Sequence, residues 1–177
     1  MRNLYLTGLP GSGKTEIGKK VARAMGMTFV ESAEDILLGE APTLTELWAR
    51  IGEADFRFRE RVALLRLAHA DNLVVAVTDG ALIWENNRVT MNKTGLVVSL
   101  DRDVEKITFS HEDHPWMPQG RDGLQELYED RAELFENFSL SVDNNGTMDA
   151  CVEALCEAIK KENDRFAIDW SQYQLEH

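Results

Sequence analysis

The sequence predicts an α/β fold of three layers, a five-stranded parallel sheet with helices on both faces and a short lid. Three observations carry that expectation. Short apolar runs alternate with longer helical stretches, the pattern of strands joined by crossover helices. Two of the runs, Leu73-Val74-Val75-Ala76-Val77 and Leu96-Val97-Val98-Ser99-Leu100, are apolar almost throughout, as strands buried on both faces must be. The first strand candidate, Leu4-Tyr5-Leu6-Thr7, opens into Gly8-Leu9-Pro10-Gly11-Ser12-Gly13-Lys14-Thr15, a complete Gly-x-x-x-x-Gly-Lys-Thr loop, and a helical pattern follows.

The other elements fall into place in order. Glu16 to Met25 reads as a helix with Ile17, Val21, Ala22 and Met25 on one side. Thr28-Phe29-Val30 is a second strand, ended by a polar corner from Glu31 to Asp35. Thr43, with Glu46 three residues on, matches a capping box and starts a short helix; Gly52 breaks it, and Glu53 to Ala70 forms a long one. Trp84 to Lys93 is a short crossover helix between the two best strands, and Asp103 to Thr108 continues as helix. Periodicity is then lost around His111 to Arg121, where two prolines and a glycine mark a loop or lid. Asp122 to Asn137 is helical, Ser139 to Val142 is the last strand, and Thr147 to Lys161 closes a single domain spanning residues 1–161. Residues 162–174 read as an extension, a tail or extra turn. Leu175-Glu176-His177 looks like the start of a vector-derived histidine tag and is left out of the fold argument.

Composition limits the function classes. Nineteen Lys and Arg against 31 Asp and Glu give a formal charge of -12, which disfavours a broad nucleic-acid footprint but leaves room for a small positive pocket. No apolar run approaches a membrane span, and no signal peptide precedes the first strand, so a cytoplasmic protein is expected. Cys151 and Cys156, five apart on a helix, suit packing in a reducing compartment better than a disulfide or metal site. Oligomeric state is not legible.

The phosphate loop implies ATP and Mg²⁺. Gly8, Gly11, Ser12 and Gly13 let successive backbone N–H groups converge on phosphate oxygens, and the new helix adds its positive end. Lys14 can reach the β- and γ-phosphates, and the Thr15 hydroxyl can ligate Mg²⁺. Asp79 sits just beyond a buried strand, where a Walker B carboxylate would hold a metal-bound water or lie near an attacking hydroxyl; an Asp-Gly turn is the other reading. Glu31, at the end of the second strand, either assists Mg²⁺ through water or is a solvated acid at a helix start. Arg57 can grip a substrate anion or pair at the surface with Glu53, and spacing favours the pair. Arg131, beside Glu129 and Asp130, is by default a surface pairing residue. His111 and His114 lack further ligands at metal spacing and read as lid residues.

Over roughly Asn3 to Ile159 the chain resembles the shikimate kinase family, within the nucleoside-monophosphate-kinase-like group of phosphate-loop enzymes. The resemblance rests on the loop, on Phe29-Val30-Glu31-Ser32, on Gly52-Glu53-Ala54-Asp55-Phe56-Arg57 and on Leu127-Tyr128-Glu129-Asp130-Arg131. It implies phosphoryl transfer from ATP to a small carboxylated hydroxyl acceptor, shikimate first among them, with Arg57 and Arg131 on the carboxylate. It also implies close backbone approach of Gly80 to the acceptor. Asp79 is then the residue that orients or deprotonates the acceptor hydroxyl, with Lys14 the other catalytic residue. Three segments differ from the family pattern. Glu31-Ser32-Ala33 stands where the family has Asp-Ser/Thr-Asp, Thr78-Asp79-Gly80 stands for three glycines, and no arginine occurs from Val104 to Gly120. These differences leave two further readings, a kinase for another hydroxy acid or sugar acid, and a degenerate nucleotide-binding regulatory protein.

Overall fold

A computed structural model describes residues 2–108, 114–115, 120–136 and 140–173. The elements are β1 (Asn3–Thr7), α1 (Lys14–Met25), β2 (Thr28–Glu31), α2 (Ser32–Leu37), α3 (Leu44–Ala68), β3 (Leu73–Ala76), α4 (Glu85–Thr94), β4 (Gly95–Asp101), α5 (Gly120–Glu136), β5 (Leu140–Asp143) and α6 (Met148–Tyr173). Two 3₁₀ turns, Asp79–Ile83 and Val104–Lys106, follow β3 and β4. The five strands are all parallel, in the order β2-β3-β1-β4-β5.

Alternation along the central strands sorts the core into two layers, because successive strand side chains point to opposite faces. Leu4, Leu6, Val74 and Val98 pack with Ile17 and Val21 of α1 and Leu155 and Ile159 of α6. Tyr5, Val75 and Val97 pack on the other face with Leu64 and Leu67 of α3 and Met91 of α4. The three-layer expectation is met. Reversal of strand order on either side of β1 opens a crevice at the carboxyl ends of the strands, where α/β sheets bind ligands.

A smaller cluster, Ile36, Leu44, Leu47, Phe56 and Ala63, holds α2 and the first half of α3 together as a cap beside that crevice. The cap signal at Thr43 is realised: its hydroxyl accepts the Glu46 N–H at 3.1 Å. Gly52 interrupts α3 between two helical halves, as its place in the sequence suggests, with φ 77° and ψ 171°, a non-helical conformation that suits glycine. The polar corner at Ser32 to Asp35 is itself helix α2, and the helix expected over Asp103 to Thr108 is only a 3₁₀ turn. The final helix runs unbroken through residues 162–173, and Glu162 pairs with Arg2 at 3.1 Å. Most of the lid expected near 111–121 lies outside the described residues, as do Leu175 to His177. Among the described residues, no helix is long and apolar enough to cross a membrane.

Candidate active site

The phosphate loop joins β1 to α1 as its spacing requires. Gly13 caps α1 in the left-handed region at φ 97°, which L side chains rarely adopt, and a Cβ there would meet Asn144 Nδ2 at 2.9 Å. Ser12 is fully buried; its N–H donates to Leu9 O at 3.1 Å, and its Oγ has no hydrogen-bond partner. Lys14 Nζ lies across the loop and donates to the carbonyls of Gly8 at 2.8 Å and Leu9 at 2.7 Å. Burial lowers the lysine pKa to about 8, an effect that Asp79 and then Glu31 partly offset by favouring the charged form.

These groups share one cavity of about 290 Å³. Lys14, Thr15, Glu31, Ala33, Thr78, Asp79 and His114 all line it, with Leu37 and Leu44 of the cap. Four of the residues expected to act on nucleotide, metal and acceptor hydroxyl are thus brought together, from the loop and from the ends of β2 and β3. Asp79 opens the 3₁₀ turn after β3, as the Asp-Gly turn reading has it, and is also 2% exposed in the cavity wall. Thr15 and Glu31 present hydroxyl and carboxylate oxygens, the hard donors that Mg²⁺ takes alongside phosphate oxygens and water. His114 joins the cavity, whereas His111 lies outside the described residues. Among the described residues, no group of three or more His, Cys, Asp or Glu could hold a metal ion.

Arg57 is not a surface residue. It is 6% exposed, and its partner is Glu60, with Nη1 to Oε2 at 2.7 Å, while Glu53 stands off at 3.7 Å. The reading that favoured a surface pair with Glu53 is corrected here, because α3 turns this face inward beneath the cap. The guanidinium lies 5.2 Å from the Trp48 ring centroid and 5.8 Å from that of Phe56, so aromatic faces bound the cation. Gly80 supports it from below: a Cβ at that position would sit 1.9 Å from Arg57 Nη1. The observed use of this glycine is therefore to make room for the arginine.

Glu60, the partner of Arg57, is a residue that the sequence reading passed over. It is 2% exposed, and its second oxygen accepts the Thr78 hydroxyl at 2.7 Å. Burial pushes its carboxyl above the usual range, while Arg57 and the Thr78 hydrogen bond pull it back. Its position three residues after Arg57 was the available signal, since i and i+3 share a helix face. Ser32, another residue passed over, accepts the Thr78 N–H at 3.0 Å and ties the β2 corner to the end of β3.

A third is Asn144, which is buried after β5. Its Nδ2 donates to Ser12 O at 2.6 Å, and its own N–H donates to Asp101 O at 2.7 Å. Arg131 is half-buried on α5, its Nε enclosed without a hydrogen-bond partner. Neither Arg131 nor Arg57 is among the residues that line the Lys14–Asp79 cavity itself.

Comparisons with known proteins agree with this geometry. The family model described as "SKI: Shikimate kinase" matches residues 10–162. A shikimate kinase of Geobacter metallireducens is 30% identical over 151 residues, covering 82% of this chain and 84% of the relative. One of Bartonella quintana is 31% identical, covering 81% of this chain and 70% of the relative. The solved shikimate kinase of Acinetobacter baumannii in complex with shikimate superposes with a TM-score of 0.82 at 27% identity, covering 91% of this chain and 94% of that one. The family match over residues 10–162, with relatives that are 30% identical or more over most of both chains, places this chain in the shikimate kinase family.

Proposed function

We propose that this chain transfers the γ-phosphoryl group of ATP to a hydroxyl of shikimate, giving ADP and shikimate 3-phosphate. The observation that carries the reading is Arg57, buried and held in place one residue away from the wall of the cavity that contains Lys14 and Asp79. A fixed guanidinium beside a phosphate cradle suits an acceptor with a carboxylate at one end and a reacting hydroxyl at the other.

The loop amides and Lys14 hold the phosphates, and Arg57 and Arg131 anchor the acceptor carboxylate. Asp79 orients the acceptor hydroxyl and takes its proton as the new O–P bond forms and the bond to the ADP oxygen breaks. Thr15 and Glu31 would hold Mg²⁺, which when bound neutralises charge on the phosphate oxygens. Positioning and electrostatics, rather than covalent chemistry by the protein, supply the rate.

The test is ADP release coupled to a spectroscopic readout, with Mg²⁺·ATP and shikimate against no acceptor and a panel of related hydroxy acids. Shikimate-dependent turnover that is lost in Lys14→Ala is the expected result, and turnover that persists in Lys14→Ala refutes the mechanism. Ala33 in the cavity wall favours one second reading, because a methyl group accepts no hydrogen bond from an acceptor hydroxyl. On that reading a panel member, not shikimate, supports turnover.

A further inference from the structure

We propose that Thr78 is a positioning residue for the acceptor anchor: through Glu60, its hydroxyl sets the direction in which Arg57 presents its guanidinium. The inference rests on the reading of Arg57 as the carboxylate anchor.

Glu60 uses both oxygens. Oε1 accepts from Thr78 Oγ1 at 2.7 Å and Oε2 accepts from Arg57 Nη1 at 2.7 Å. The terminal torsion of a glutamate is broad and weakly held. A donor on one oxygen fixes the carboxylate plane, and the plane fixes where the other oxygen meets the arginine. Thr78 is itself anchored, its N–H on Ser32 Oγ at 3.0 Å and its carbonyl accepting the Ala81 N–H at 3.1 Å. The rigid ends of β2 and β3 are therefore connected, through one hydroxyl and one carboxylate, to a guanidinium on α3.

Rings and the Gly80 backbone also bound Arg57, and the exposed Glu53 lies 3.7 Å from its Nε. The pair with Glu60 is a full ångström shorter, at 2.7 Å between two buried side chains, and so has the stronger hold on the guanidinium's rotation. Thr78 also lines the cavity of Lys14 and Asp79, so the same residue end touches both the reacting corner and the anchor's support. The hydroxyl additionally favours the ionised Glu60 that burial disfavours.

The experiment compares Thr78→Val, which keeps the shape and removes the donor, with Thr78→Ser, which keeps the donor. Arg57→Lys and Glu60→Gln are measured beside them. Shikimate KM and ATP KM are determined separately, and the shikimate Kd is taken by calorimetry. The expected result is a rise of about tenfold in shikimate KM and Kd for Thr78→Val, the size of one lost hydrogen bond to a charged group, with ATP KM within about twofold. Thr78→Ser restores the parent values, and Thr78→Val adds little on a Glu60→Gln background. Unchanged shikimate KM in Thr78→Val, beside a raised KM in Arg57→Lys, overturns the inference alone. Equal rises in both KM values overturn it too, because they mark a merely structural role. Unchanged KM in Arg57→Lys, or a parent that neither binds nor phosphorylates shikimate, refutes the underlying reading and the inference with it.

Discussion

Substituting Gly80 with alanine adds one methyl group and should disable the acceptor site. The new Cβ would lie 1.9 Å from Arg57 Nη1, 2.7 Å from Cζ and 3.0 Å from Nη2. Ordinary contact between such atoms is near 3.5 Å, so the guanidinium must retreat by about 1.5 Å. A retreat of that size stretches the 2.7 Å bond to Glu60 beyond hydrogen-bonding reach and leaves a carboxylate that is 2% exposed without its counter-charge. Removing one partner of a buried pair costs about 3–5 kcal/mol, and the loss here should fall near the lower figure because Arg57 is displaced rather than deleted.

Backbone conformation does not explain such a loss. Gly80 lies in the 3₁₀ turn Asp79–Ile83 and is not among the positive-φ glycines, so alanine there should otherwise be neutral or mildly stabilising. Urea unfolding reads the stability, and steady-state kinetics with shikimate and ATP varied in turn read the site. Acceptor KM should rise by about ten- to a hundredfold, as loss of charge-assisted hydrogen bonds implies, while ATP KM stays within about twofold. The decisive control is Gly80→Ala on an Arg57→Ala background. With the guanidinium gone the methyl group has space, so the two substitutions should be non-additive by about 2 kcal/mol or more. Parent-like stability and acceptor KM in the single variant, or full additivity in the pair, would refute the packing argument.

The remaining predictions concern the nucleotide and the acceptor hydroxyl. Because burial lowers Lys14 to about 8, the free protein loses that proton as pH rises through this value, and a phosphate ligand restores it. ADP affinity should therefore fall by up to about tenfold per unit above pH 8, with proton uptake visible by calorimetry in buffers of different ionisation heat; zero uptake at pH 8.5 contradicts the assignment. Asn144→Leu removes the donor to Ser12 O and with it the restraint on the Ser12–Gly13 peptide plane, whose N–H faces the opposite way. ATP KM should rise about fivefold with acceptor KM unchanged, and parent-like ATP KM would exclude this role. Asp79→Gly should lower kcat by about a hundredfold or more, and adding Ala33→Asp should recover part of the loss. No recovery would mean that the two positions are not alternatives for one hydroxyl-accepting carboxylate.

Local signals in this sequence were legible where the physics is local. The apolar runs of β3 and β4 declare strands buried on both faces, and Thr43 with Glu46 declares a helix start that the Thr43 hydroxyl realises. Helix α2 escaped detection because six residues are too short to display a helical period. Its Ser-Ala-Glu-Asp start is also as polar as a turn, and only packing of Ile36 into the cap reveals its inward face. Gly52 was visible as an interruption because the signal is local: its φ of 77° is a conformation that glycine adopts freely and other residues rarely do.

The site was legible in its parts and not in its pairings. The loop motif names Lys14 and Thr15 directly, since their chemistry follows from spacing. Arg57 could not be told from a surface residue, because helical spacing offers Glu53 and Glu60 equally and only burial decides between 3.7 Å and 2.7 Å. Asn144 and Ser12 are 132 residues apart, and no periodicity reports such a contact. The same limit applies to Ala33 and Asp79, two separate departures from the family pattern until the structure puts both on one cavity wall. The carboxylate that the family pattern has at position 33 is absent and Asp79 stands beyond β3, in a cavity that Glu31 and Glu34 also line, so an acidic group meets the acceptor from a different direction. A hydroxyl presented from a rigid ring distinguishes those directions, and selectivity among closely related hydroxy acids is therefore where this chain should differ most from its relatives.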